Sequence, residues 1–316
     1  MDFMIWLILA ILIAAMILYG SWICYRLVFY NCNIIQKDVY AIPPGKQYER
    51  HADRLLSMIH DVQQLPYEQV YITAADGVRL AGRYYQFHEH APVQIFFHGY
   101  RGNSAREFCG NDHMAKTIGL NAIVVDQRAH GKSGGHTISF GIMERYDCLE
   151  WVRYARARFG EGTQIILSGV SMGAATVLMA SNLTMPKNVS AIIADCPYSS
   201  PGAIIKKVCN SMHLPSILLY PLVVLGALFF GKFRIWECSA VKSVEQTDIP
   251  ILLIHGDDDR FVPSKMSMEI YEAARGPKRI ITIPGAGHGL SYMVDTRRYE
   301  STVKEFLKNC GVCVKE

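Results

Sequence analysis

The sequence predicts an α/β fold: a mostly parallel central sheet with helices on both faces, an inserted helical cap and an apolar helix at the N-terminus. Three observations lead there. Short apolar runs alternate with helix-length stretches from residue 93 onward, the rhythm of strands buried on both faces and separated by helices. One interval, between Asp195 and Pro250, is too long for that rhythm. The first 25 residues are far more apolar than anything that follows.

Taking the elements in order, Phe3 to Tyr25 is a run of 23 residues without a charge. As a helix it extends about 35 Å, enough to cross a bilayer with some tilt. A cleaved leader fits less well, because the apolar run is long, no Lys or Arg precedes it and no small-x-small site follows. Only Asp2 comes before it, whereas Arg26, Lys37 and Lys46 come after, so the positive-inside rule puts the bulk of the chain in the cytoplasm. Residues 29–66 connect anchor to domain, with a break at Pro43-Pro44-Gly45 and then Leu55, Leu56, Ile59, Val62 and Leu65 at helical spacing before Pro66. Residues 69–87 hold two β-rich runs around Asp76-Gly77, a hairpin signature. Strands are expected at 93–99, 121–126, 164–170, 189–195, 250–256 and 278–285, and helices at 104–119, 143–160, 172–183, 264–275 and 293–309.

The chain thus divides into a transmembrane anchor (1–28), a connecting helical segment (29–66) and the main domain (67–316), whose cap occupies about 197–248. Within the cap, Leu214 to Gly231 contains 18 uncharged residues. A second crossing is not expected there, since it would strand the late β-segments across the bilayer from the early ones. Pro215 and Pro221 also interrupt a continuous helix. Short apolar helices resting on the membrane or on an apolar substrate are expected instead.

A net charge of +4 with no basic stripe argues against nucleic acid as a partner. The nine cysteines form no regular framework, so reduced thiols are expected. Cys310-Gly-Val-Cys313 lacks the second pair or histidines that would make it a metal site, and no cofactor is expected. Gly131-Lys132-Ser133 lacks the first glycine of a phosphate loop.

In an open parallel sheet the chemistry lies beyond the carboxyl ends of the strands. There, Gly169-Val-Ser171-Met-Gly173 follows an apolar run and opens a helix, the setting in which a strained turn lifts a serine hydroxyl clear of the backbone. A hydroxyl is a weak nucleophile and needs a base oriented by a third group. The chain order Ser, acid, His makes His288, in a glycine-flanked loop, the candidate base. His98 and His130 precede the serine, and His255 ends a strand where a core position is expected. For the acid, Asp257, Asp258, Asp259 and Asp195 all remain open on spacing alone.

The stretches "FFHGYRGN", "VVDQRAHGKSGG", "GVSMGAA", "IADCPYSS", "LLIHGDDDRFVP" and "GAGHG" together resemble α/β-hydrolase-fold serine hydrolases, over about Val70 to Leu307. Within that superfamily the chain is similar to membrane-anchored bacterial hydrolases of the YqkD-like and serine-aminopeptidase-like groups. The resemblance implies that the acid is the aspartate of a DxxVP-like run, here Asp259, completing a set with Ser171 and His288. It implies oxyanion donors at the backbone N–H groups of Met172 and Tyr100. Ala129 stands where such proteins often carry glycine. The implied activity is cleavage of ester-type acyl substrates, small or lipid-like. A peptidase or acyl thioesterase of the same fold, and a non-catalytic tethered binding module, are the alternatives.

Overall fold

The computed structural model describes residues 2–32, 38–213 and 215–315. Lys37, one of the charges on which the expected orientation rests, and Leu214, the first residue of the uncharged cap run, lie outside them. Eight strands form one sheet in the order β1-β2-β4-β3-β5-β6-β7-β8. They are β1 (Glu68–Thr73), β2 (Arg79–Tyr85), β3 (Val93–Phe97), β4 (Asn121–Asp126), β5 (Ile165–Val170), β6 (Val189–Asp195), β7 (Ile251–Gly256) and β8 (Lys278–Ile283). The hairpin strand β2 joins the sheet antiparallel to β4, and all later pairings are parallel. Strand β3 is buried along its whole length, as is β7, which is why these segments read as unbroken apolar runs instead of alternating ones.

Helices α1 (Asp2–Val28), α2 (Lys46–Glu49) and α3 (Ala52–Gln64) precede the sheet. Between strands come α4 (Ser104–Glu107), α5 (Asn111–Ile118), α6 (Glu144–Phe159) and α7 (Met172–Ala180). Helices α8 (Pro201–Ser211), α9 (Ser216–Gly226) and α10 (Ala240–Val244) fill the long interval after β6, and α11 (Lys265–Ala273) separates the last two strands. Helices α12 (Ser291–Val294) and α13 (Thr296–Asn309) close the chain.

Two elements depart from the sequence expectation. The helix expected over 104–119 is broken into α4 and α5, because Gly110 takes φ 87, outside the helical region. A side chain there would also meet Tyr292 at 2.5 Å. The second departure is Pro221, which lies inside α9 instead of interrupting it, while Pro215 caps the helix. Without a proline N–H, the Ile217 carbonyl loses its intrahelical donor.

Among the described residues, one helix, Phe3–Val28, is long and apolar enough to span a membrane, with a mean hydropathy of 2.6. Its C-terminal end is built into the domain. Phe29 is fully buried against Phe140 and Phe233, and Tyr25 packs against Phe230. The Tyr100 hydroxyl donates to the Val28 carbonyl at 2.7 Å, and the Arg101 guanidinium donates to Leu27 O at 2.9 Å and Tyr30 O at 3.0 Å. The Gly131-Lys132-Ser133 stretch is a turn after β4 that opens no helix: Lys132 N–H donates to Asp126, and the Ser133 hydroxyl receives Ala81 N–H.

Candidate active site

At the carboxyl end of β5 the chain turns into α7 within one residue. Ser171 makes the turn at φ 54 and ψ −114, a conformation that a side chain bears only under strain. The two glycines make it possible. A methyl group at Gly173 would sit 2.0 Å from the Phe97 carbonyl oxygen, and one at Gly169 would sit 2.4 Å from the Gly173 carbonyl carbon. Helix α7 therefore lies directly on the strands, and the Ser171 hydroxyl projects from its N-terminus.

The hydroxyl meets His288 Nε2 at 2.9 Å, and His288 Nδ1 meets Asp259 Oδ2 at 2.7 Å. These three groups come from the loops after β5, β7 and β8. The structure also separates the four carboxylates that spacing left open. Asp257 accepts from Gly285 N–H at 2.6 Å, and Asp258 pairs with Arg260 at the surface. Asp195 accepts from the Ser291 hydroxyl at 3.1 Å. Of these four carboxylates, Asp259 is the one hydrogen-bonded to His288.

Asp259 is held on every side. Its Oδ1 accepts from Phe261 N–H at 2.9 Å and Val262 N–H at 2.8 Å, and its Oδ2 also lies 3.2 Å from His255 Nε2. Burial alone would raise this carboxyl, but hydrogen bonds from His255 and His288 outweigh it and hold Asp259 well below the ordinary carboxylate range. It is therefore ionised throughout the range in which a neutral imidazole is available.

Asp195 behaves in the opposite way. Its complete burial pushes it up to about 6, only partly offset by His255, Ser291 and His288. Unfolded, it ionises near 3.8, so between these two values the folded state binds more protons and stability falls as pH rises. Asp195→Asn is expected to be the more stable protein above that window, by on the order of 1–3 kcal/mol. The gap should close as pH falls below about 4, and thermal melts at acid and neutral pH check this.

The three rival histidines bond groups other than Ser171. His98 Nε2 accepts from Gln127 N–H at 3.1 Å and its Nδ1 bonds the Gly99 carbonyl. His130 Nε2 accepts from Arg101 N–H at 3.0 Å and its Nδ1 bonds the Arg128 carbonyl. His255 is tied to Ser267 and to the Val262 carbonyl. Together His98 and His130, their rings 4.7 Å apart, brace the loop after β3. In that loop Gly99 N–H donates to Glu107 at 2.5 Å and Arg101 N–H is taken by His130. The Tyr100 N–H between them, like Met172 N–H at the start of α7, has no acceptor among the described residues.

Four residues around the site escaped the sequence reading. Tyr48, from α2 in the connecting segment, donates its hydroxyl to the His288 carbonyl at 2.9 Å, and Gln47 beside it packs against Gly287. Glu107 supplies the carboxylate under Gly99. Cys196 is buried within 4.8 Å of the Asp259 and His288 ligand atoms, and burial pushes its thiol far up. Nothing local marks Tyr48, because its partner lies 240 residues away.

The eight-stranded sheet, the turn at Ser171 and the long insertion after β6 match a known architecture. A family model for the alpha/beta hydrolase fold covers residues 92–234. The chain has the α/β-hydrolase fold. Among curated proteins, the chain is 28% identical to the uncharacterized protein YqkD of Bacillus subtilis over 262 residues, 83% of this chain and 86% of that protein. It is 29% identical over 227 residues to the uncharacterized protein YfhR of Escherichia coli K12, covering 70% and 73%. Among solved structures, the Pyrococcus furiosus esterase Pf2001 superposes with a TM-score of 0.64 at 26% identity, covering 79% of this chain and 93% of that one. In this fold Ala129 adopts φ 63, a left-handed position that favours the glycine often found there in the proteins it resembles.

Proposed function

We propose that this hydrolase cleaves ester-type acyl substrates, as a carboxylesterase or lipase-like enzyme, with Ser171 as nucleophile, His288 as base and Asp259 as the group that orients it. The observation that carries this is the unbroken relay from the Ser171 hydroxyl through His288 to Asp259, with contacts of 2.9 and 2.7 Å.

In this mechanism His288 Nε2 takes the Ser171 proton as the oxygen attacks the acyl carbon. Asp259 fixes the tautomer with Nδ1–H toward it and offsets the positive charge that forms on the ring. The N–H groups of Met172 and Tyr100 receive the oxyanion. His288 then protonates the departing alcohol, and water repeats the sequence to release the acid. The likeness to an esterase at 26% identity supports the ester reading, and the apolar anchor and cap support acyl chains of lipid type. Because Phe29 and Tyr25 belong to the domain core, removal of α1 as a leader would open that core, which favours a retained anchor. The charges after α1 favour a cytoplasmic domain, and protease accessibility in intact cells tests this.

A panel of p-nitrophenyl acyl esters against aminoacyl amides and acyl thioesters tests the chemistry. Turnover of esters is expected to lead. Faster amide or thioester cleavage would replace the ester reading, and no turnover with no fluorophosphonate labelling would leave a binding module.

Tyr48 gives a finer test. Tyr48→Phe removes one neutral hydrogen bond to the His288 loop, worth about 1 kcal/mol, so kcat is expected to fall roughly fivefold. KM and the melting temperature should change little, because the ring packing is kept.

A further inference from the structure

Helix α9 runs alongside α1 in the same direction. A methyl group at Gly20 would sit 3.4 Å from Leu222, and one at Gly226 would sit 2.6 Å from the Ser21 carbonyl oxygen and 3.1 Å from Tyr25 N. Positions along the two helices therefore rise together, at the close spacing that glycine allows. From Pro215 to Gly231 the cap carries no charge. Its large apolar side chains nevertheless face outward: Ile217 is 83% exposed, Leu218 68%, Phe229 62% and, across the helical turn, Met212 64%. A patch of this kind, continuous with a helix apolar enough to span a membrane, is costly in water.

The depth follows from the same register. Tyr19 and Trp22 stack 5.9 Å apart and Arg26 lies over Trp22, an aromatic and basic belt of the kind that marks a membrane interface. Leu222 is level with Gly20, within that belt. Ile217 and Leu218 lie about one turn further toward the middle of α1, roughly 6–7 Å deeper. The apolar helical stretch Ser216–Gly231 is about 24 Å long and cannot cross a core of about 30 Å. The polar Asn210 and Ser211, beside Met212 at the end of α8, also need water nearby, which suits the headgroup boundary and excludes the bilayer centre.

We propose that the tip of the α8–α9 pair, through Met212, Ile217 and Leu218, inserts shallowly into the same leaflet that α1 leaves, so that cap and anchor hold the molecule to the bilayer at two points. The site lies between them. The loop of Tyr100 and Arg101 is bonded to the end of α1, while Lys207 of α8 donates to the Arg260 carbonyl, beside Phe261, whose ring is 5.1 Å from that of His288.

The test uses the full chain, with exposed Cys32 and Cys313 changed to serine, carrying a fluorophore at Leu218→Cys or Ile217→Cys in phosphatidylcholine–phosphatidylglycerol vesicles. Exposed Lys187→Cys serves as the aqueous control. Labels at 217 and 218 are expected to be shielded from iodide at least threefold relative to 187 and quenched by nitroxide placed high on the acyl chain more than by nitroxide near its end. Iodide quenching equal to that at 187 would overturn the insertion. Shielding from iodide without lipid quenching would also overturn it, and would show that a second copy of the chain covers the tip.

Discussion

Ser171→Ala is expected to lower kcat by about 10⁶ while leaving the fold in place. The fold should persist because the substitution keeps a Cβ at the φ of 54 that Ser171 already adopts, and the hydroxyl's partner, His288 Nε2, faces the substrate side where water can replace it. His288→Ala should cost about as much alone, and the double variant little more than either, since the groups act as one unit. Asp259→Asn should cost about 10⁴, because an amide in place of the carboxylate favours the wrong imidazole tautomer. Residual turnover through the Met172 and Tyr100 N–H groups should remain above the uncatalysed rate. Steady-state kinetics on an ester, with fluorophosphonate labelling and circular dichroism on each variant, measures all of this. Wild-type-like turnover in Ser171→Ala would remove the proposed nucleophile.

Gly173→Ala is expected to destabilise the protein by about 3 kcal/mol or more, lowering the melting temperature by roughly 10 °C or abolishing soluble expression. The new methyl group would stand 2.0 Å from the Phe97 carbonyl oxygen, 2.4 Å from its carbon and 2.7 Å from the His98 carbonyl oxygen. All three are backbone atoms at the end of β3, a strand locked between β4 and β5, so no rotamer change relieves the contact. Relief requires α7 to lift from the sheet, which would carry the Ser171 hydroxyl away from His288. Activity should therefore fall even in whatever protein remains folded. Gly162→Ala, where a methyl group meets nothing within 4 Å, is the control and should change stability by less than about 0.5 kcal/mol.

Much of this was legible in the chain itself. The alternation of apolar runs and helices foretold the parallel sheet, because a strand covered on both faces must be apolar at every position, as β3 and β7 are. The Gly-x-Ser-x-Gly turn announced its own packing, since only glycine lets helix and strand backbones approach so closely. The order of serine, acid and histidine narrowed the base to His288. Pattern alone misjudged Pro221, whose position inside α9 depends on what α9 packs against, and the run 104–119, where Gly110 ends one helix before another begins.

What only the tertiary structure decided is which distant groups meet. The three neighbouring aspartates look alike in sequence and resemblance alone favoured Asp259, yet they differ once folded. Asp259 turns inward to four donors, whereas Asp257 and Asp258 are spent on Gly285 and Arg260. The latch of Tyr48 on the His288 loop and the pairing of α9 with α1 leave no local trace. Periodicity reports whether a segment has a buried side, through the solvent that side avoids. It carries no record of which surface does the burying, because apolar attraction is non-directional and any well-shaped partner satisfies it. Shape and hydrogen-bond geometry in the folded chain make that choice.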